Sequence, residues 1–312
     1  MNTRLLITGG NGFVASHVAA RAGERWSGSV RTTSLSGASA ADYAVDLTDL
    51  DTVVSVMRDY RPTHILHLAG ISAPAEAARD AAVAARANVT GSLNLAEAAA
   101  LAEVSRFVFA STAEVYGAAF NDGVVDETTR PAPQTVYARS KLAAEYLVGD
   151  VLAGVCQTVI VRPTNHTGPG QDERFVAPAF AAQVARLEAA DQEGALLVGN
   201  LSAKRDFLDV RDVADAYFAL LTGDLKEEIS LFNLSSGISR PISDIVDALI
   251  DASSARFAVR EDQSRMRPSD VPIAAVDSTR LRGATGWTPR ISFAQTITDL
   301  LQDKRADVLR MG

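Results

Sequence analysis

The chain has 312 residues, 47% hydrophobic and 22% charged, and its 30 basic and 38 acidic side chains leave a net charge of -8. That length suits one large α/β domain carrying a smaller one better than a single compact core, and no apolar run reaches the roughly 18 residues that a membrane span needs. The acidic balance argues against nucleic acid as a partner, so any phosphate must be met by local cations. Met1-Asn2-Thr3-Arg4 passes straight into Leu5-Leu6-Ile7 without a signal peptide's longer apolar core, so a cytoplasmic protein is expected. A lone cysteine, Cys156, rules out an internal disulfide and fits a reducing compartment.

Taken in order, β-branched and aliphatic runs recur at Leu5 to Thr8, His64 to Ala69, Phe107 to Ala110 and Thr158 to Val161, separated by alanine-rich stretches long enough for helices. That alternation predicts repeated βαβ units: an α/β protein with a Rossmann-like, doubly wound parallel sheet and helices on both faces. Ala73 to Ala102 is mostly alanine with scattered charges and reads as two helices meeting around Asn88 to Gly91. After Pro163 the texture changes. Asn165 to Gln171 holds two glycines and a proline, and a helix is expected over Ala177 to Ala190. We place the crossover to a smaller domain here. Arg205 to Leu221 reads as a return to the large domain, with Ile242 to Ala252 and the tail as helices of the small one. The expected division is 1–165 and 203–236 for the large domain, and 166–202 and 237–312 for a discontinuous substrate-binding domain.

Leu5-Leu6-Ile7-Thr8 runs into Gly9-Gly10-Asn11-Gly12-Phe13-Val14-Ala15-Ser16-His17, a strand, a glycine turn and a helix start. Gly9 and Gly12 are spaced so that the chain can turn tightly and bring backbone N–H groups and a helix amino end against a pyrophosphate, with Ala15 in the third small position. A glycine pattern alone also fits a plain tight turn; its place after the first strand favours a dinucleotide site. Asp46 can accept a hydrogen bond from an adenine amino group or can cap a helix. Val30-Arg31-Thr32-Thr33-Ser34 offers no acidic residue for a ribose 2′-hydroxyl, while Arg31 suits a 2′-phosphate, so NADP(H) is preferred and NAD(H) is the alternative.

Tyr137 and Lys141 stand four apart at the start of an expected helix and share a face. A phenol with a reference pKa of about 10 carries protons poorly at neutral pH unless a cation stabilises its phenolate, and Lys141 is spaced to do that. Upstream, Phe107 to Ala110 ends in Ser111, Thr112 and Glu114, which should lie at the carboxyl end of a strand where open α/β sheets bind ligands. Helix or turn capping would account for the same hydroxyls. His64 and His67, three apart in a strand, point to opposite faces, so a shared metal is not expected. His17 reads as a packing residue, and His166 can either pack or touch the ligand.

These motifs resemble the extended short-chain dehydrogenase/reductase family, from about Arg4 to Ile291. Arg162 to Gln171, Val198 to Leu201, Arg205 to Asp212 and Arg267 to Pro272 make the chain most similar to reductases of GDP-linked 4-keto-6-deoxyhexoses. By position, the resemblance implies Tyr137 as proton donor, Lys141 as cofactor-holding lysine and Thr112 as active-site hydroxyl. It implies that the cofactor is held by Gly9, Asn11, Gly12, Phe13 and Val14 of the turn, by Asp46 and Leu47, by Leu68, Ala69 and Gly70, and by Ser111, Tyr137, Lys141 and Pro163. Thr112, Glu114, Asn165, Arg205 and Arg267 would meet the nucleotide sugar, the arginines at its diphosphate. Two departures concern the subfamily: Ala15 and Thr164 stand where glycine and phenylalanine are common. Glu114 lies where related 4,6-dehydratases keep a base, although Ala113 lacks the polar side chain usual beside it. The resemblance therefore implies NAD(P)H-dependent ketone reduction on a GDP-linked deoxyhexose by a homodimer. A 4-epimerase or a GDP-mannose 4,6-dehydratase that recycles bound cofactor is the rival, and a non-catalytic NAD(P)-binding sensor is a rival of another class.

Overall fold

The computed structural model describes residues 3–35, 42–190, 194–266 and 271–311. Strands and helices alternate through the first half as β1 (Arg4–Thr8), α1 (Phe13–Arg25), β2 (Ser29–Ser34), β3 (Tyr43–Ala44), α2 (Leu50–Tyr60), β4 (His64–His67), α3 (Pro74–Arg79), α4 (Ala81–Ala85), α5 (Gly91–Leu101), β5 (Arg106–Ala110), α6 (Val136–Leu152) and β6 (Gln157–Pro163). There follow β7 (Asn165–Thr167), α7 (Val176–Ala190), β8 (Gly194–Val198), β9 (Lys204–Asp209), α8 (Val210–Thr222), β10 (Ile229–Leu234), β11 (Ser239–Pro241), α9 (Ser243–Ala252), β12 (Phe257–Glu261), α10 (Thr279–Thr285) and α11 (Phe293–Met311).

An unbroken buried run makes β1 a central strand, paired with β2 on one side and β4 on the other. Leu5 and Ile7 bury against a layer that includes Val18 of α1 and Val213 and Tyr217 of α8, whereas Leu6 faces Val53 and Met57 of α2 and Leu95 of α5. Seven strands form one parallel sheet in the order β10-β6-β5-β4-β1-β2-β3. The chain leaves β1 first toward β2 and then returns to its other side at β4. That reversal opens a crevice beyond the carboxyl ends of β1 and β4, the place where doubly wound sheets take ligands.

The alanine-rich stretch departs from its expected form. It breaks at Asp80, whose side chain caps α4 by accepting from Val83 N at 2.9 Å, and then runs through a π-helical turn at Arg86–Thr90 into α5 without a gap. Asn88 lies inside this turn, fully buried. Intrinsic helix propensity cannot distinguish such a bulge from a helix end.

The smaller lobe gathers α7, α9 and α11 over β8 and β9 in one apolar core that includes Phe180, Val184, Ile245, Leu249, Ile297 and Leu300. Its strands form a three-stranded sheet, β11-β9-β7, and a pair, β12-β8. The stretch from Arg205 to Leu221, expected to return to the large domain, divides instead. β9 pairs with β7 and β11, while α8 packs on the large sheet. Alternation explains the split, because Phe207 buries in the small lobe's core and the next residue, Leu208, buries in the large one. The tail divides too: Leu281 and Trp287 join the core under the large sheet, and Trp287 Nε1 donates to the Asp212 carbonyl at 3.0 Å.

Candidate active site

A cleft of about 1650 Å³ runs between the lobes over the carboxyl ends of the strands. Its floor begins at the glycine turn. Gly9 has φ +75, and a Cβ there would stand 2.9 Å from Ala69 Cα; one on Gly10 would meet Thr32 Cβ at 2.7 Å, and one on Gly12 the Gly9 carbonyl oxygen at 2.9 Å. The turn is thus a bare-backbone cradle packed so closely on Thr32 and Ala69 that side chains have no room there. Gly12 is the N-cap of α1 and supplies no side chain to its first N–H groups, which leaves the positive end of the helix for an anion. Asn11, Phe13 and Val14 line the same wall, with Leu68, Ala69 and Gly70 beyond β4. This cradle fits a dinucleotide pyrophosphate. Gly9→Ala should cost about 1–3 kcal/mol, through an unfavourable backbone well and the contact with Ala69, and should lower the melting temperature by several degrees. An unchanged melt would mean that the turn relaxes freely.

Farther along the cleft, Asp46 and Leu47 line its wall. Asp46 Oδ1 accepts from Thr48 N at 2.9 Å and Thr48 Oγ1 at 2.8 Å; it does not cap a helix, because Asp49 caps α2 through Asp51 N. Arg31 requires a correction. It stands three residues short of the end of β2, half-exposed, 3.5 Å from Asp42, and does not line the cleft, where Thr33, Ser34 and Leu35 lie instead. The expected 2′-phosphate contact was placed too early in the strand, since ligands sit beyond a strand's carboxyl end.

Tyr137 and Lys141 face the cleft from the first turns of α6, which Thr135 caps by accepting from Ala138 N at 3.1 Å. Burial, and then the charge of Glu114, holds the Tyr137 phenol above its ordinary pKa, while a hydrogen bond with Thr112 opposes them. The phenol therefore rests protonated, the state that a proton donor needs. Burial brings Lys141 down to about 8, opposed by Glu145, and its Nζ lies 4.4 Å from the centre of the Phe109 ring. Thr112 Oγ1 accepts from Glu114 N at 3.2 Å, which leaves its hydrogen to donate. Ser111 and Pro163 border the same space, and the Ser111 hydroxyl is bonded to Glu145.

Across the cleft stand Glu114, Asn165 and Arg205. Burial pushes the Arg205 guanidinium down, and the nearby Glu114 carboxylate pulls it back up. Arg267 lies outside the described residues. His166 lines the cleft with Nδ1 3.1 Å from the Thr164 carbonyl oxygen and its ring nearly parallel to Phe13, 6.2 Å between centres. His17 bonds the Pro169 carbonyl at 2.8 Å and so ties α1 to the crossover loop.

His64 and His67 occupy opposite faces of the sheet. His64 packs edge-on against Trp26, 4.9 Å between centres, and His67 bonds Thr8 at 2.7 Å and Ser92 at 2.9 Å. Burial holds them at about 4 and about 3, so both are neutral. In the sequence Asn88 marks only the expected meeting of two helices and carries no role. Its Oδ1 accepts from Ile71 N at 2.8 Å, and its Nδ2 donates to Ser140 Oγ at 2.9 Å; Ser140 in turn bonds the Tyr137 carbonyl at 2.8 Å. The π-turn thereby fixes both the loop after β4 and the start of α6. An asparagine inside an alanine-rich stretch, a feature shared with Asn94, was the available signal.

Comparison with known proteins gives this arrangement its relatives. GDP-6-deoxy-D-mannose reductase of Pseudomonas aeruginosa is 32% identical, with 97% of each chain covered. The structure of RMD from Pseudomonas aeruginosa complexed with NADPH superposes with a TM-score of 0.86 at 31% identity, covering 98% of this chain and all of that one. The UDP-glucose 4-epimerase of Thermus thermophilus in complex with NAD gives a TM-score of 0.84 at 27% identity, covering 97% and 99%. The family model for the NAD dependent epimerase/dehydratase family matches residues 5–234. With glycine turn, doubly wound sheet, Tyr137 and Lys141 together on one cleft, this chain belongs to the NAD dependent epimerase/dehydratase family, the extended type of short-chain dehydrogenase/reductase.

Proposed function

We propose that this protein is an NADPH-dependent reductase of the C4 ketone of a GDP-4-keto-6-deoxyhexose, forming GDP-D-rhamnose, with NAD(H) as the alternative cofactor. The observation that carries this reading is the convergence of a protonated buried phenol, a buried ammonium and a donor hydroxyl beside an anion-binding glycine turn in one cleft. Reduced nicotinamide, when bound, supplies the hydride to C4. Tyr137 gives its proton to the carbonyl oxygen as negative charge develops there, and Thr112 donates a hydrogen bond to the same oxygen. Lys141 stabilises the phenolate left behind, which regains a proton from solvent before the next turnover. Asn11, Gly12, Phe13 and Val14 hold the pyrophosphate end, Leu68, Ala69, Gly70, Ser111 and Pro163 wall the nicotinamide end, and Asp46 with Leu47 meets the adenine. Arg205 grips the sugar's diphosphate with Asn165 beside it, so that binding energy distant from C4 orients the ketone. The NADPH preference is supported by the likeness to the NADPH complex, since Arg31 no longer argues for it.

The test is NADPH absorbance at several equivalents over enzyme, with GDP-4-keto-6-deoxymannose. We expect oxidation beyond one equivalent, strictly dependent on the sugar. Binding of NADPH without oxidation would replace this reading with the epimerase or dehydratase that recycles its cofactor, for which Glu114 in the cleft supplies a base. We also infer a cytoplasmic homodimer, supported by the reducing-compartment signature of a lone buried Cys156 and by exposed Leu101 of α5 and Tyr146 and Leu147 of α6. No helix among the described residues is long and apolar enough to cross a membrane.

A further inference from the structure

Behind the cleft lies a buried ion pair that the roles above leave unused. Glu145 follows Lys141 by one turn of α6 and shares its face. From β6, Arg162 Nε approaches the two carboxylate oxygens at 3.0 and 3.2 Å, and Nη2 reaches Oε2 at 2.6 Å. The Ser111 hydroxyl donates to the same carboxylate, and the guanidinium lies over the Tyr116 ring, 4.9 Å from its centre. Side chains 5% and 4% exposed surrender most of their hydration, and replacing such a pair with apolar residues is often neutral or stabilising. Stability gives little reason for the pair; its position beside Lys141 gives one.

We propose that Glu145, fixed by Arg162 and Ser111, is a positioning residue whose carboxylate keeps the Lys141 ammonium charged at the cleft. This rests on the role given to Lys141 above. Among the described residues, Glu145 is the one carboxylate whose charge raises the pKa of Lys141. On the β5 side, Lys141 faces the Phe109 ring. On β4, His67 is neutral, held down to about 3 by burial and then by Lys141 itself. One turn earlier on α6 stands the protonated Tyr137, and the charge of Glu114 acts on that phenol but is not among the causes that shift Lys141. The guanidinium of Arg162 is engaged by Glu145. Burial works against the ammonium and has brought it to about 8, and Glu145 is the group opposing that fall. Without the carboxylate, the ammonium would lose its proton within the working pH range, and an unpaired Arg162 would add repulsion.

The four lysines are Lys141, Lys204, Lys226 and Lys304, few enough for direct titration. The full-length protein, labelled with 13C at lysine Cε, would be titrated by NMR alone and with NADPH, with Lys141→Met identifying the resonance. Glu145→Gln removes the charge; Glu145→Met combined with Arg162→Met removes the pair at similar volume, which keeps the fold should the single variant unfold. We expect the Lys141 midpoint to drop by about one pH unit or more in the folded variants, with the alkaline limb of any rate profile moving equally. An unmoved midpoint in the folded double variant overturns the proposal, even if activity falls, because loss without a shift reports packing alone. A shifted midpoint in a protein whose wild type oxidises no NADPH upholds the role of Glu145 and removes the reductase reading instead.

Discussion

Tyr137→Phe should lower turnover about 10³-fold while dissociation constants for NADPH and for the GDP-sugar stay within about twofold. The substitution removes one oxygen from a ring that is 9% exposed and deletes only the proton that the developing alkoxide requires, an effect ordinarily worth 10²- to 10⁴-fold. Turnover falls without loss of binding because the lost interaction is made in the transition state and not with ground-state substrate. Isothermal titration beside steady-state kinetics reads both quantities. Affinity falling in parallel with turnover would mean that the phenol binds substrate and does not pass the proton. The hydrogen bond between Tyr137 and Thr112 is lost as well, but Thr112 keeps its bond from Glu114 N, so the surrounding geometry should survive.

Lys141→Met should abolish turnover by at least about 10²-fold and yet make the cofactor-free protein more stable. The ammonium is 6% exposed, and burial has lowered its pKa from 10.5 to about 8. At about 1.4 kcal/mol per pH unit, that fall corresponds to roughly 3 kcal/mol against folding, less the ~0.5–1 kcal/mol that its contact with the Phe109 ring returns. The pH dependence has a definite sign. The folded protein holds its lysine proton less tightly than the unfolded chain, so the cost is present in full below about 8 and disappears as pH rises toward 10.5. The stabilisation from Lys141→Met should therefore be largest at pH 6–7, shrink through pH 9 and vanish above 10.5, as read by chemical denaturation at each pH. A variant less stable than wild type at pH 7 would show that attraction to the Glu145 charge outweighs the burial of the ammonium.

The parts of this molecule that were legible beforehand are those in which chemistry and local geometry share one stretch of chain. Gly9 and Gly12 stand beside each other after β1, and Tyr137 and Lys141 are one helical turn apart, so periodicity alone brings each pair together. What was not legible depends on distant partners. Arg31 reads as a phosphate ligand in the sequence, but it stands early in β2 beside Asp42 and does not line the cleft. Asn88 gained its meaning from a π-turn and from Ser140, 52 residues later. The pairing of β9 with β7 and β11 was hidden because a strand whose two faces feed two cores reads as an ordinary apolar run. Arg162 and Glu145 stand 17 residues apart on different elements, and no pattern in either segment names the other.

The place of Trp287 carries a consequence for how the molecule is made. The core under the large sheet begins with Leu5 and is completed by Leu281 and Trp287. During synthesis, the face of α8 that gives its Asp212 carbonyl to the indole waits for a side chain 75 residues downstream. The first βαβ units can pair as they emerge from the ribosome, but the half that binds the dinucleotide stays unsealed on this face until most of the small lobe has also been made. The two lobes are thus entangled in order of assembly as well as in space, a non-local closure of the kind that slows folding and lengthens the time apolar surface stays open to chaperones.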